Sequence, residues 1–307
     1  MALVVVRAPG GAGTAAGADT EFTEDAPDSG ADTLAPELLE PSTSAVRQTT
    51  VAPAGADSPG ATTEPAPTTT LPALPRRVIT LGDSTAGAFA RNAPRDVRKI
   101  LRFVDGQLTG CSINSSGVAV GVRKTGRDFR SCRGWADRWA TKATNAAAEI
   151  ALVILGAWDV FDIDYGEQTV GFASPEFDAT FRSNLRSGID MLVGTGAKVA
   201  LLEVPCYRPH FTGEPGTFEF PERGDDTRTR HLNQLLREVA AADPANVTFI
   251  DGPQVWCTDE KTATNLRLRY DGVHYTSRGA RIVYDAIEDQ LLAIPVGAAQ
   301  HAKRPRT

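Results

Sequence analysis

The sequence predicts an α/β fold in which a parallel β-sheet is covered on both faces by helices. Three observations carry this. From residue 76 onward, short apolar runs alternate with longer stretches whose apolar residues recur at helical spacing. Two of the runs, Glu149 to Leu155 and Lys198 to Val204, are apolar with little alternation, as expected for strands buried on both faces. The runs are closed by Gly82, Gly156 and Pro205, residues that stop a strand and open a crossover.

The elements follow in order. Val78-Ile79-Thr80-Leu81 is a strand ending at Gly82-Asp83-Ser84, with a small-residue helix over 86–90 after it. Ile100 to Val104 is a second strand, leading to Thr109-Gly110-Cys111. Asn114 to Asp128 is rich in Gly, Ser and Arg and reads as a long loop, and Trp135 to Ala148 as a helix. After the Glu149–Leu155 strand, Ser174 is a cap, Pro175 the first helical position and Glu176 a first-turn acid. Phe177, Phe181, Leu185, Ile189 and Leu192 form that helix's apolar stripe, which Gly194 closes. The Lys198–Val204 strand is followed by an aromatic-containing loop over 209–224. Asp225 or Asp226 then caps a helix facing inward through Leu232, Leu235, Leu236 and Val239. Val247 to Ile250 is a strand. A final helix buries Ile282, Val283, Ala286, Ile287, Leu291 and Ile294 and stops at Pro295.

Charge separates this domain from what precedes it. Residues 1–75 contain ten acidic and two basic residues, half of the 20 prolines and one aromatic residue, Phe22. Such a segment cannot bury enough apolar surface to offset its ordering entropy, so 1–75 is expected to be a disordered, Ala/Pro/Thr-rich acidic tail or linker. Residues 76–296 form the expected domain and 297–307 a basic C-terminal tail. Leu3 to Val6 followed by Gly10-Gly11-Ala12-Gly13 suggests a phosphate loop, but no helical period follows it, and no nucleotide or other cofactor is expected. The near-neutral domain carries no basic excess for a nucleic-acid partner. No apolar run is long enough to span a membrane, and the five apolar residues after Met1 are too few for the core of a signal peptide.

In a parallel sheet, reactive groups gather at the carboxyl ends of the strands. Ser84 stands at such an end, entering a helix whose N-terminus favours negative charge. A bland alternative is a turn in which this serine merely caps the helix. A serine nucleophile needs a base. Of the four histidines, His301 is in the tail, His231 lies beside Leu232 on a helix, and His210 is in the long loop. His274 follows Asp271 by three residues around Gly272, so the carboxylate can hold one imidazole nitrogen while the other faces the serine. The four cysteines, at 111, 132, 206 and 257, form no C-x-x-C pair; two disulfides fit better than a zinc site, with four buried thiols the alternative, and no metal is expected.

Gly82-Asp83-Ser84, Gly110, Gly156-Ala157-Trp158-Asp159 and Asp271-Gly272-Val273-His274 fall in the order of the four sequence blocks of SGNH (GDSL-like) hydrolases, and the resemblance extends from Val78 to about Ile294. Gly110-Cys111, Cys132 with Trp135, Pro205-Cys206, Trp256-Cys257, 271–280 and the proline-rich lead-in resemble most the extracytoplasmic SGNH domains fused behind acyltransferase-3 membrane domains, as in actinobacterial proteins.

The resemblance implies a flavodoxin-like, three-layer α/β/α fold with a five-stranded parallel sheet in the order 2-1-3-4-5. It implies Ser84 as nucleophile, His274 as base and Asp271 as the orienting carboxylate, with the Ser84 and Gly110 N–H groups holding the oxyanion. Asp83, Gly156, Ala157 and Asp159 would border the substrate cleft. Similar domains act on acyl esters, usually O-acetyl groups of cell-envelope glycans or glycolipids, and in the fused proteins the serine accepts an acyl group from the membrane domain. One departure stands out. Where typical members have Gly-x-Asn-Asp, whose Asn donates to the oxyanion, this chain has Trp158 before Asp159. An ionised Asp cannot donate, so the Trp158 indole substitutes, or Trp158 packs in the core or lines the cleft and the third donor is elsewhere or missing. The alternative function is then a weak or inactive module that binds acylated glycan or assists an acyltransferase-3 domain. The resemblance also pairs Cys111 with Cys132 and Cys206 with Cys257, which would place a monomeric domain on the extracytoplasmic face of the envelope. The absence of a signal peptide from this chain agrees with that if the chain is the trailing part of a longer protein.

Overall fold

A computed structural model describes residues 75–121, 126–210 and 220–297. The expected tails, 1–75 and 297–307, lie outside these residues except at their inner ends. β1 (Arg76–Gly82) leads into α1 (Ser84–Arg91), and β2 (Leu101–Asp105) follows. Next come β3 (Val118–Ala119), β4 (Arg127–Asp128), α2 (Trp135–Ala146), β5 (Ile150–Ile154), β6 (Ile163–Asp164) and β7 (Thr169–Val170). The chain continues through α3 (Pro175–Gly194), β8 (Lys198–Leu202), α4 (Asp226–Ala242) and β9 (Val247–Ile250). Two one-turn helices, α5 (Val255–Thr258) and α6 (Glu260–Ala263), precede α7 (Ser277–Ala293).

β2-β1-β5-β8-β9 form a five-stranded sheet in which every pairing is parallel. Counted along the chain, this is the expected order 2-1-3-4-5. Successive strand residues point to opposite faces. Ile79, Leu81, Ala151, Val153, Val199 and Leu201 thus join the core under α2, α3 and α4. Val78, Ile150, Leu152, Ile154, Ala200 and Leu202 join the core under α1 and α7. β5 is buried at all five positions because it is central and covered on both sides, which is why its sequence shows no alternation.

The helices end as their chemistry dictates. The Ser174 hydroxyl accepts from the Phe177 N–H at 3.1 Å, and Glu176 and Asp178 lie in the positive first turn of α3. Loss of that cap by Ser174→Ala would cost about 1 kcal/mol. α3 runs through Gly194, and the turn closes two residues later at Gly196, whose φ is +88°. Asp225, rather than Asp226, caps α4 by accepting from Thr227 at 2.7 Å.

One expectation needs correction. The stretch 114–128 is not loop throughout: β3 and β4 within it pair with each other, and β3 pairs with β6, giving an antiparallel sheet in the order β4-β3-β6-β7. Each strand in it has only two residues, too short to show a period of two.

Candidate active site

β1 delivers Ser84 to the carboxyl edge of the sheet. The strand order reverses between β1 and β5, which is where an open α/β sheet forms its crevice. Gly82 is required there. Its φ is +139°, and a Cβ on it would lie 1.9 Å from the Ile154 carbonyl oxygen of β5. The bland reading of Ser84 as a cap does not hold, because Asp83 is the cap of α1. Its Oδ1 accepts from the Thr85 N–H and from the Thr85 hydroxyl, each at 2.7 Å. Ser84 is therefore the first helical residue, and its hydroxyl is available for another partner.

That partner is His274. Ser84 Oγ lies 2.7 Å from His274 Nε2, across 190 residues of sequence. His274 Nδ1 lies 2.5 Å from Asp271 Oδ2. Asp271 Oδ1 also accepts from the Val273 and His274 N–H groups, at 2.9 and 2.7 Å. Burial pushes the Asp271 carboxyl up, but the His274 ring and these N–H donors together hold it below its usual value. The turn depends on Gly272, with φ +78° and a virtual Cβ 1.6 Å from the Arg208 carbonyl oxygen. Main-chain bonds from Arg208 N–H to Gly272 O and from His210 N–H to Asp271 O fasten the turn to the segment after β8. Cys206, paired with Cys257, starts that segment.

Gly110 lies in the loop after β2, with φ +66°. Its carbonyl accepts from Arg127 Nε at 2.9 Å, and the neighbouring Cys111 is bonded to Cys132. All four cysteines are thus paired as the resemblance implied, and the zinc and free-thiol alternatives fall away.

The four residues expected to border the cleft, Asp83, Gly156, Ala157 and Asp159, are all buried. The reason is that the chain turns sharply after β5 and folds its polar side chain inward. Asp159 Oδ2 accepts from the Gly156 N–H at 3.0 Å, and its Oδ1 accepts from the Ile113 N–H at 3.1 Å. Burial pushes Asp159 up to about 6, aided by the nearby Asp83 carboxylate, and burial likewise raises Asp83.

The Trp158 ring is half-buried among Phe129, Phe161 and Phe220, and the Arg223 guanidinium lies 4.1 Å from its centroid. Arg223 is itself buried and donates from Nε to the Ala157 carbonyl. Of the other histidines, His210 lies against the Asp271 turn with its N–H on Asp271 O, His231 pairs with Asp178 at 2.7 Å, joining α3 to α4, and His301 lies outside the described residues.

Sequence reasoning passed over Arg127, Arg223 and Tyr270. The half-exposed Tyr270 ring stacks on the His274 imidazole with centroids 5.6 Å apart and planes 13° from parallel. Its place directly before Asp271 was the available signal. Among the described residues, no cluster of His, Cys, Asp or Glu side chains is arranged to hold a metal, and no helix is long and apolar enough to cross a membrane.

A family model described as an SGNH domain (fused to AT3 domains) matches residues 54–289. A GDSL-like lipase from Bacteroides thetaiotaomicron is similar in structure, with 18% sequence identity and a TM-score of 0.46 over 73% of this chain and 91% of that one. The periplasmic domain of a lipopolysaccharide acetyltransferase from Salmonella ser. Paratyphi A is 12% identical, with a TM-score of 0.45 over 71% and 84%. An acetyl xylan esterase is 14% identical, with a TM-score of 0.44 over 71% and 100%. No curated protein matches the chain.

Proposed function

The chain belongs to the family of SGNH domains that occur fused to AT3 domains, and on that premise we propose that it is a serine-dependent ester hydrolase or O-acyltransferase. The observation that carries this is the continuous relay from Ser84 Oγ through the His274 ring to Asp271, with contacts of 2.7 and 2.5 Å. Ser84 Oγ attacks the acyl carbonyl while its proton passes to His274 Nε2. Asp271 accepts the Nδ1 hydrogen and stabilises the imidazolium. The oxyanion faces the Ser84 N–H, at the first position of α1, and the Gly110 N–H. His274 returns the proton to the departing alkoxide, leaving an acyl-serine and a free hydroxyl. Water or another hydroxyl then attacks the acyl-serine, again deprotonated by His274.

The substrates proposed are acyl esters, with acetyl the leading acyl group, of envelope glycans or glycolipids. The proposed partner is an acyltransferase-3 domain, the kind of domain named in the family description. Two disulfides support a place on the extracytoplasmic side of the envelope. Trp158, where the family's donor Asn would stand, favours one second reading, an inactive module that only binds acylated glycan.

A serine-reactive fluorophosphonate separates the two. The enzyme reading expects labelling at Ser84, together with acetate release from, or transfer to, an O-acetylated glycan. Ser84→Ala is expected to abolish both, a loss of at least about 10³-fold, with the thermal midpoint nearly unchanged. Failure of the oxidised wild type to label supports the module; activity persisting in Ser84→Ala removes the assignment.

A further inference from the structure

Asp159 is buried at 2% exposure, hydrogen-bonds to neither Ser84 nor His274, and yet spans the two loops that flank the nucleophile. One oxygen takes the Gly156 N–H of the turn after β5, and the other takes the Ile113 N–H, three residues beyond Gly110. On its far side the Gly110 loop is tied by Arg127 and by the Cys111–Cys132 disulfide. We propose that Asp159 is a positioning residue: its carboxylate straps the Gly110 loop to the β5 turn and so holds the Gly110 N–H at the oxyanion. The inference rests on the Gly110 role in the proposed function.

The chemistry of the strap requires a carboxylate. Two N–H groups, on two loops, arrive at its two oxygens, and only an ionised carboxyl accepts at both without presenting a hydrogen. An amide has one acceptor oxygen and would turn its NH₂ toward the other N–H. A protonated carboxyl has the same defect. The groups facing Asp159 are the Gly156 N–H from its own turn, the Ile113 N–H and Ser112 hydroxyl from the Gly110 loop, and the Asp83 carboxylate from the β1–α1 turn. The last of these opposes ionisation, as does burial, so the strap releases as pH falls through about 6. In a catalytic group, such a release would switch the reaction off outright. In a strap it lowers only the advantage of an ordered oxyanion site.

The test compares the full-length wild type with Asp159→Asn in fluorophosphonate labelling of Ser84, because the phosphonyl oxygen occupies the oxyanion position and the acyl substrate need not be known. At pH 8 the limiting labelling rate of Asp159→Asn is expected to be about ten- to hundredfold below wild type, with the half-saturating probe concentration within about threefold. The ratio of the two rates should shrink toward one as pH is lowered through about 6, since the wild type then carries the same defect. A purely structural residue would give a ratio that does not track this ionisation. Labelling of Asp159→Asn within twofold of wild type at pH 8, or a ratio independent of pH, overturns the strap while leaving the nucleophile assignment intact. An unlabelled wild type instead overturns the proposed function and, with it, any oxyanion role for Gly110. Should Asp159→Asn fail to fold, amide exchange in the wild type decides. Protection of the Ile113 and Gly156 N–H groups, corrected for intrinsic rates, should drop below pH 6, and constant protection overturns the strap.

Discussion

The proposed relay needs one His274 nitrogen as a donor and the other as an acceptor, and Asp271 decides which. With Oδ2 at 2.5 Å from Nδ1, the hydrogen belongs on Nδ1, and Nε2 is left to accept from Ser84. Asp271→Asn would keep an oxygen for the Val273 and His274 N–H groups but point an NH₂ at the ring. The imidazole then carries its hydrogen on Nε2, facing the serine with a donor. We expect kcat to fall about 10⁴-fold with little change in KM, checked with any acetyl ester the wild type turns over. Stability follows a definite sign. The folded Asp271 carboxyl lies below its ordinary value, so it contributes stability above the unfolded value of about 3.9 and loses it as pH falls through the lower, folded one. Urea midpoints of wild type and Asp271→Asn should therefore differ at pH 7 and converge in strong acid.

At the scale of elements, the carboxyl edge of the sheet is built from loops that two disulfides fasten. Cys111–Cys132 closes a 21-residue separation around the Gly110 loop, and Cys206–Cys257 closes 51 residues between the end of β8 and α5. Loop-closure entropy assigns them about 3 and about 4 kcal/mol. Replacing Cys111 and Cys132 together with alanine should lower stability by about 3 kcal/mol in urea unfolding. It should also slow Ser84 labelling by loosening Gly110. Replacing Cys206 and Cys257 should cost slightly more stability and act on the His274 turn, which Arg208 and His210 hold from behind. Equal, small effects of both pairs on labelling would deny the disulfides any part in the site.

The same scale separates what was legible in the sequence from what was not. The five parallel strands and the long helices were readable because each buries a face wide enough to impose a period or a continuous apolar run, as in β5 and α3. Ser84, Asp271 and His274 were readable from their order, since a D-x-x-H spacing is common and gains its meaning only behind Gly82-Asp83-Ser84 and before the last helix. The antiparallel sheet was not, since a two-residue strand is specified by its neighbours and not by its own pattern. Nor was the placement of Asp83 and Asp159. A carboxylate beside a nucleophile suggests a cleft, and only the tertiary packing shows that both turn inward to accept N–H groups.

At the scale of the whole molecule, the first residue of the sheet also closes the last helix. Arg76 is buried, its N–H bonds to Ile100 O at 2.9 Å, and it pairs with Leu101 in β2. Its guanidinium reaches Leu291 O and Ile294 O, at 3.2 and 2.9 Å, at the C-terminal end of α7. A helix leaves its last carbonyls without intrahelical donors, so this cation both satisfies them and sits favourably at the negative end of the dipole. The domain therefore needs Arg76, and nothing described before it enters these bonds. A chain of residues 76–297 is expected to unfold cooperatively, with a thermal midpoint within about 2 °C of the full chain, a shift of under about 1 kcal/mol. Arg76→Ala in that chain strands the buried Ile294 carbonyl and leaves Leu291 O with only the 3.4 Å bond from the Ile294 N–H, at about 1–3 kcal/mol, or a fall of roughly 2–10 °C for a domain of this size. Circular dichroism melts of the three proteins check both statements. A 76–297 chain that melts far below the full chain would place the true boundary upstream. An Arg76→Ala melt matching its parent would mean that water serves the α7 carbonyls as well as the guanidinium does.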